Sequence, residues 1–325
     1  MCGGRTTWLS CLDLCMEDST QRMVDGKTVS EASGNCPELP THRIRRVLTE
    51  DANPFVRDHI IGEHAVFPAI GVMAWIANAC EQLYPRLTFA RAEDFRTLKG
   101  IVFDESLADK YILDLKELAC GTEAVTLDAM LWSRGPKGRP RYNYKGTYTV
   151  VRQLAAPPVY PFQLPSVPCR EPLTIYRDGT LFHGPRLAGV QKILKLDSSS
   201  LMLACCSPRL TERDQGQCLV RSFNPFAADS LFQGMLIWAR HAYGSASLPS
   251  KIVKAEQFKP IPFDETYYVS LDVQSSSPKR VTADVAMHDV DGVVYMRFLG
   301  AEVTLNRGLN PLFAMGAKIH PGGEG

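Results

Sequence analysis

AIGVMAWIANACEQLYP, residues 69–85, is the stretch on which the fold turns. Ile70, Met73, Ile76, Ala77, Cys80 and Leu83 recur at helical spacing, and Pro85 stops the run. A helix this apolar needs a partner surface, and the sequence that follows supplies one. KGIVFD (99–104), KYILDLKEL (110–118), AVTLDAMLW (124–132) and RYNYKGTYTVV (141–151) read as antiparallel strands. Six prolines between Pro157 and Pro172, Pro161, Pro165 and Pro168 among them, then force an extended, stiff connection. Beyond them the same grammar returns. PFAADSLFQGMLIWARHAY, Pro225 to Tyr243, reads as a second long amphipathic helix. Strands follow at 251–258, 267–274, 280–289 and 293–305, with Asp291-Gly292 as the hairpin signal between the last two. Two helix-then-sheet units joined by a proline linker read as one architecture used twice, each half curling a sheet around its helix. The alternative is a single α+β unit without internal duplication. Residues 1–41, rich in Cys, Ser, Thr and Gly, and residues 307–325 read as tails or linkers from a longer polypeptide.

Composition excludes several classes of partner. A hydrophobic fraction of 45%, a charged fraction of 22% and a net charge of +1 describe an ordinary globular chain. The cluster Arg43, Arg45, Arg46 is too short for a nucleic-acid footprint. No apolar run is long enough to span a bilayer, and no secretory or myristoylation signal opens the chain. The spacing of the ten cysteines, with Cys205 and Cys206 adjacent, suggests neither a disulfide framework nor zinc knuckles. Free thiols in the cytoplasm are expected, with Cys80 in the core.

The usual nucleophile, dinucleotide, phosphate-loop and zinc-protease motifs are missing. What remains lies near the starts of the two long helices. In DHIIGEHAVFP, His59 precedes Pro68 by nine residues. An imidazole suits general-base work near neutrality. The free N–H groups of the following helix start, around Ala69 to Gly71, could hold a developing enolate oxygen. Taken alone, such a histidine is more often structural. In NPFAADSLFQ, Asp229 and Gln233 are four apart and share a helix face. An Asp on the apolar side of a helix should have a raised pKa and could donate a proton to a leaving hydroxyl, with Gln233 orienting it. Taken alone, such an Asp more often caps the helix or sits on its exposed edge. In IYRDGTLFHGPRLAGV (175–190), Gly179 and Gly184-Pro185 mark a tight chain path; His183 there could be a second base, but next to Gly-Pro it is expected to shape the loop. His64, His241, His288, His42 and His320 show no metal-ligand spacing, and no metal is expected.

Together these three elements resemble the dehydratase domains of polyketide synthases and polyunsaturated fatty acid synthases. His59 and Pro68 match the ends of H-x3-G-x4-P, although Glu63 stands where that pattern has Gly and Gly62 comes one residue early. Tyr176, Gly179, Gly184 and Pro185 match a second element, and Asp229 with Gln233 a third. The likeness runs over residues 42–306. It implies an α+β double hotdog, two antiparallel sheets each wrapped around a long central helix. The N-terminal hotdog would span 42–156, the linker 157–172 and the C-terminal hotdog 173–306. His59 and Asp229 would meet across an acyl tunnel, with Pro68, Ala69, Tyr176, Gly179, Gly184 and Pro185 near the substrate. The implied reaction removes water from a 3-hydroxyacyl thioester to give a 2-enoyl thioester. It needs no cofactor beyond the phosphopantetheine arm of an acyl carrier protein. Neighbouring synthase domains are implied as partners, and a homodimer is suggested. A product-template-type cyclase of the same fold, or an inert acyl-binding scaffold, would carry similar patterns.

Overall fold

Pro68 opens the first long helix, α1 (Ala69–Leu83), and every residue from Ile70 to Glu81 is buried. A short helix, α2 (Glu212–Gln215), precedes the second long one, α3 (Pro225–Tyr243). Asn224 caps α3 by accepting from the N–H groups of Phe226 and Ala227, Pro225 fits the first turn, and Gly244 ends it in the left-handed conformation. All of Pro225 to Ala239 is buried. Helices buried on every side must be enclosed, and here a sheet encloses them. The computed structural model describes residues 39–135, 138–164 and 174–319. The tail expected over 1–41 lies almost wholly outside these residues, as do Pro165, Pro168 and Pro172 of the linker and His320.

The first half contributes β1 (Thr41–Arg46), a hairpin of β2 (Ile60–Ile61) and β3 (His64–Ala65), and β4 (Thr88–Thr97), β5 (Tyr111–Cys120), β6 (Ala124–Arg134) and β7 (Pro140–Val151). The second contributes β8 (Val190–Leu196), β9 (Ser200–Cys206), β10 (Ser247–Gln257), β11 (Thr266–Ser277), β12 (Arg280–His288) and β13 (Val294–Leu305). The two sheets that were expected are one. Eleven strands run in the order β1-β5-β6-β7-β4-β10-β13-β12-β11-β9-β8. The seam is the antiparallel pair β4–β10, with Ile252 opposite Phe95 and Ala255 opposite Ala92, all buried. Joining here removes two open edges whose backbone groups would otherwise lack partners. Each half still packs on its own helix. α1 packs on β4 and β7, α3 on β9 to β13, and the helices touch each other. Phe55 meets Phe226 edge-on at 5.3 Å between ring centres, so one core runs through both halves.

β4 shows no strand signal in the sequence, and its bulges explain why. Its buried residues, Phe89, Ala92 and Phe95, recur every third position rather than every second. Register shifts fall between Phe89 and Arg91 and between Glu93 and Arg96, with Asp94 at φ +48°. The strand expected at 99–104 is not one. That segment runs extended beside the residues leading to Pro68, with Phe67 N–H bonded to Ile101 O and Phe103 N–H to Ala65 O. The described part of the proline linker lies along the second half, where Tyr160 stacks on His288 at 5.2 Å.

The C-terminal tail expected from 307 onward is instead a helix, α4 (Asn310–Ile319). Asn310-Pro311 reads as a turn and Gly316 as a breaker, yet both serve the helix here. Phe313 is buried against Phe182 at 4.4 Å, and the Leu312 carbonyl accepts from Gly62 N–H. Gly316 lies against the Ile60 carbonyl, and Ala314 lies against Gly179 at φ +79°, where a side chain would collide. All five cysteines among the described residues are free, with Cys80 buried. No described helix is long and apolar enough to cross a membrane.

Candidate active site

His59 leaves a single 3-10 turn, Pro54–Asp58, and enters the β2–β3 hairpin. That hairpin turns at Gly62, whose φ of +68° suits glycine at the first position of a tight turn. The glycine one residue early therefore takes the turn position itself, and Glu63 follows it. The hairpin returns Val66 to His59. Val66 N–H bonds the His59 carbonyl at 2.9 Å, and His59 Nδ1 lies 2.8 Å from the Val66 carbonyl. A carbonyl can only accept, so Nδ1 carries the proton and Nε2 keeps its lone pair. The imidazole is 8% exposed. Burial, then the neighbouring His183, push its pKa down to about 4, with Asp229 partly opposing.

Asp229 stands on the second turn of α3 and is 5% exposed. Gln233 donates from Nε2 to Asp229 Oδ2 at 2.9 Å and to the Leu187 carbonyl at 2.8 Å. Its orientation is set from behind, because Oε1 accepts from the Tyr176 hydroxyl at 2.7 Å. That hydroxyl in turn accepts from Val190 N–H. His183 Nε2 lies 3.2 Å from the same Oδ2. The pKa reading from sequence is overturned here. Burial does raise the Asp229 carboxyl, but His183 beside it and the Gln233 hydrogen bond outweigh it, and the carboxyl titrates below its ordinary value.

The His183 loop closes the site. His183 forms a backbone bridge with His59, Gly184 N–H bonds the Asp58 carbonyl at 2.7 Å, and Arg186 holds the Asp58 carboxylate at 3.2 Å. Phe182 packs edge-on to His59 at 4.7 Å and stacks on His183 at 4.3 Å. The loop thus reaches into the site, with the His183 ring centre 5.1 Å from that of His59. His183, expected to shape the loop more than to act as a second base, is a member of the site. Its neighbours in sequence carry no charge pattern that could have revealed this.

These side chains face a cavity of about 90 Å³ lined by His59, Val66, Phe67, Ala69, Tyr144, Phe182, His183, Asp229, Phe232, Gln233 and Leu236, among others. Asp229, Phe232, Gln233 and Leu236 are one face of α3, so the cavity follows that helix for about 10 Å, at roughly 1.5 Å per residue. Ala69 brings the first turn of α1 to the wall. Its first intrahelical bond comes from Val72, and no side chain caps the end, so the earlier N–H groups are unspent. Pro68 forms that helix start, while Tyr176, Gly179, Gly184 and Pro185 lie behind the wall. Tyr176 holds Gln233, Gly179 admits α4, and Gly184-Pro185 carries the loop past Asp58. His64 is exposed, and His288 is fully buried in the second half with Ser270.

His59, His183 and Asp229 each offer one ligand atom within 4.8 Å of the others, the group among the described residues that could hold a metal ion. Two imidazoles and a carboxylate suit zinc chemically, but His183 and Asp229 are already joined to each other.

Two family models match the chain. One, described as polyketide synthase dehydratase domain, covers residues 33–127. The other, described as polyketide synthase dehydratase N-terminal domain, covers residues 173–309. A polyunsaturated fatty acid synthase polypeptide from Thraustochytrium sp. is 27% identical over 266 residues, 78% of this chain and 9% of that protein. The dehydratase domain from the CurJ module of the curacin polyketide synthase superposes with a TM-score of 0.64 at 13% identity, covering 86% of this chain and 96% of that one. That of RzxB from Pseudomonas fluorescens gives 0.65 at 11% identity, covering 81% and 94%.

Proposed function

This chain belongs to the polyketide synthase dehydratase family, and from that premise we propose that it removes water from a 3-hydroxyacyl thioester, with His59 as base and Asp229 as acid. The observation that carries the roles is the meeting of the two side chains. His59 comes from the first half and Asp229 from the second, and a ring nitrogen of one and a carboxylate oxygen of the other lie within 4.8 Å in a largely apolar cavity. His59 Nε2 has a free lone pair and takes the proton alpha to the thioester carbonyl. Negative charge grows on the carbonyl oxygen, where the uncapped N-terminus of α1 can receive it. As the carbon–oxygen bond at C3 breaks, Asp229 delivers its proton to the departing hydroxyl. The products are a 2-enoyl thioester and water. Proton transfer and the thioester's own acidity suffice, so no cofactor enters.

The Gln233 hydrogen bond and the His183 nitrogen 3.2 Å away favour the carboxylate. An acyl chain that fills the cavity strips water from the free oxygen of Asp229. Desolvation then gains on the hydrogen bonds, and the carboxyl takes up its proton as substrate binds. Since this chain spans 9% of its fatty acid synthase relative, neighbouring synthase domains and a phosphopantetheine-borne substrate on an acyl carrier protein belong to the same proposal.

The test is direct. The purified chain is given a 3-hydroxyacyl thioester of pantetheine or of a carrier protein, and loss of one water is followed by mass spectrometry. His59→Ala and Asp229→Asn are each expected to lower turnover by about 10²-fold or more. Turnover unchanged in either variant removes that residue from its role. A cyclised product, or no turnover on any chain length, overturns the dehydratase reading.

A further inference from the structure

Both nitrogens that approach the catalytic carboxyl meet it at one oxygen. His183 Nε2 and Gln233 Nε2 converge on Asp229 Oδ2 at 3.2 and 2.9 Å, which leaves Oδ1 for the cavity. His183 Nδ1 is buried and has no hydrogen-bond partner. A protonated Nδ1 there would be an unsatisfied buried donor, so the ring's proton belongs on Nε2, pointing at Oδ2. We infer that His183 is a positioning residue that assigns the acid proton to Oδ1 of Asp229 and aims it at the leaving hydroxyl; this rests on the dehydratase reading above.

The arrangement has a property that a single hydrogen bond would lack. Oδ2 can accept from both donors whether Oδ1 carries a proton or not, so the acid can give up and regain its proton without any side chain moving. Preorganisation of this kind costs nothing at the moment of reaction. The His183 ring is fixed in turn by Phe182 stacked on it at 4.3 Å, and its backbone by the bridge to His59. The titratable and charged groups around it are His59 across the bridge, Asp229 on α3, and Asp58, which Arg186 neutralises. Tyr176 reaches the acid only through Gln233. Nothing else in the loop directs a donor at the carboxyl among the described residues.

Three variants test this: His183→Phe keeps the ring and removes the donor, His183→Gln restores an amide donor of similar reach, and Asp229→Asn removes the acceptor. For His183→Phe, kcat is expected to fall ten- to hundredfold, in line with misplacement of a reacting group by about 1 Å, while KM stays within about threefold. Losing a donor to the carboxylate raises its pKa, so the alkaline limb of the kcat profile moves to higher pH even as the rate falls. His183→Gln is expected to recover most of the rate and the position of the limb. A His183→Phe variant with kcat within twofold of the parent and an unmoved limb overturns the inference. So does a fall in rate that His183→Gln does not relieve. A second readout needs no turnover: ¹⁵N spectra of the imidazoles in the parent and in Asp229→Asn. The parent should show His183 protonated at Nε2 and bare at Nδ1, and Asp229→Asn should shift the Nε2 resonance. The opposite tautomer overturns the inference even if the chain proves not to be a dehydratase. A parent that turns over nothing but shows the expected tautomer condemns the reaction and leaves the hydrogen bond standing.

Discussion

Lowering the pH from 7 to 5 is expected to destabilise the protein largely through His59. Its imidazole titrates at about 4 in the folded protein, against a reference value of 6.5 in the unfolded chain. Between these values the unfolded state binds a proton that the folded state refuses. Stability is therefore full above pH 6.5 and falls as the pH drops toward 4. The integrated linkage is about 2 kcal/mol at pH 5 and about 3 kcal/mol at pH 4. His59→Gln removes the titration and keeps a donor for the Val66 carbonyl. Urea unfolding followed by circular dichroism at pH 7 and pH 5 reads the difference. With a urea slope of about 2–3 kcal/mol per molar, the parent's midpoint should fall by roughly 0.7–1 M more than the variant's. His288, whose pKa burial also depresses, titrates in both proteins and cancels. Equal falls in the two proteins would refute the premise that burial holds His59 neutral.

Binding of an unreactive acyl thioester analogue should take up close to one proton near pH 7, as Asp229 loses its remaining water; calorimetry in buffers of different ionisation enthalpy measures this, and zero uptake sinks the protonation step. Gly316→Ala would press a methyl group into the Ile60 carbonyl beside His59. Such overpacking costs about 1–3 kcal/mol, so Tm should drop by at least about 2 °C and turnover should fall with it; a variant unchanged in both means that α4 does not support the site. Dialysis against EDTA should leave turnover intact, while added Zn²⁺ should inhibit by bridging His59, His183 and Asp229. Activity lost to the chelator and restored by zinc would contradict the proton-transfer mechanism.

Much of this molecule could be read from residue spacing. The two long helices stand where their apolar runs and flanking prolines put them, because a helix buried on all sides leaves a dense local signal. Asp229 and Gln233 lie on one helix face for the same reason, their separation being a property of the helix itself. The strands from β10 to β13 were equally legible as apolar runs bounded by turn signals, although their burial does not alternate strictly. β4 was not, because its bulges turn a period of two into a period of three. α4 was not, because its start and its glycine carry turn signals that only docking against Gly62 and Gly179 overrides.

Three matters were decided by tertiary structure alone. Whether two half-sheets pair at β4–β10 depends on edges that lie far apart in the chain, and no local pattern encodes their register. The pKa of Asp229 follows from His183 on another loop as well as from Gln233 on its own helix, so an apolar helix face suggested the wrong sign. His183 reaches the carboxyl because the chain from Gly179 to Pro185 bends back over His59. Local sequence sets which groups are available, but their distances across the core come from how the two halves pack, and the chemistry of this site depends on those distances.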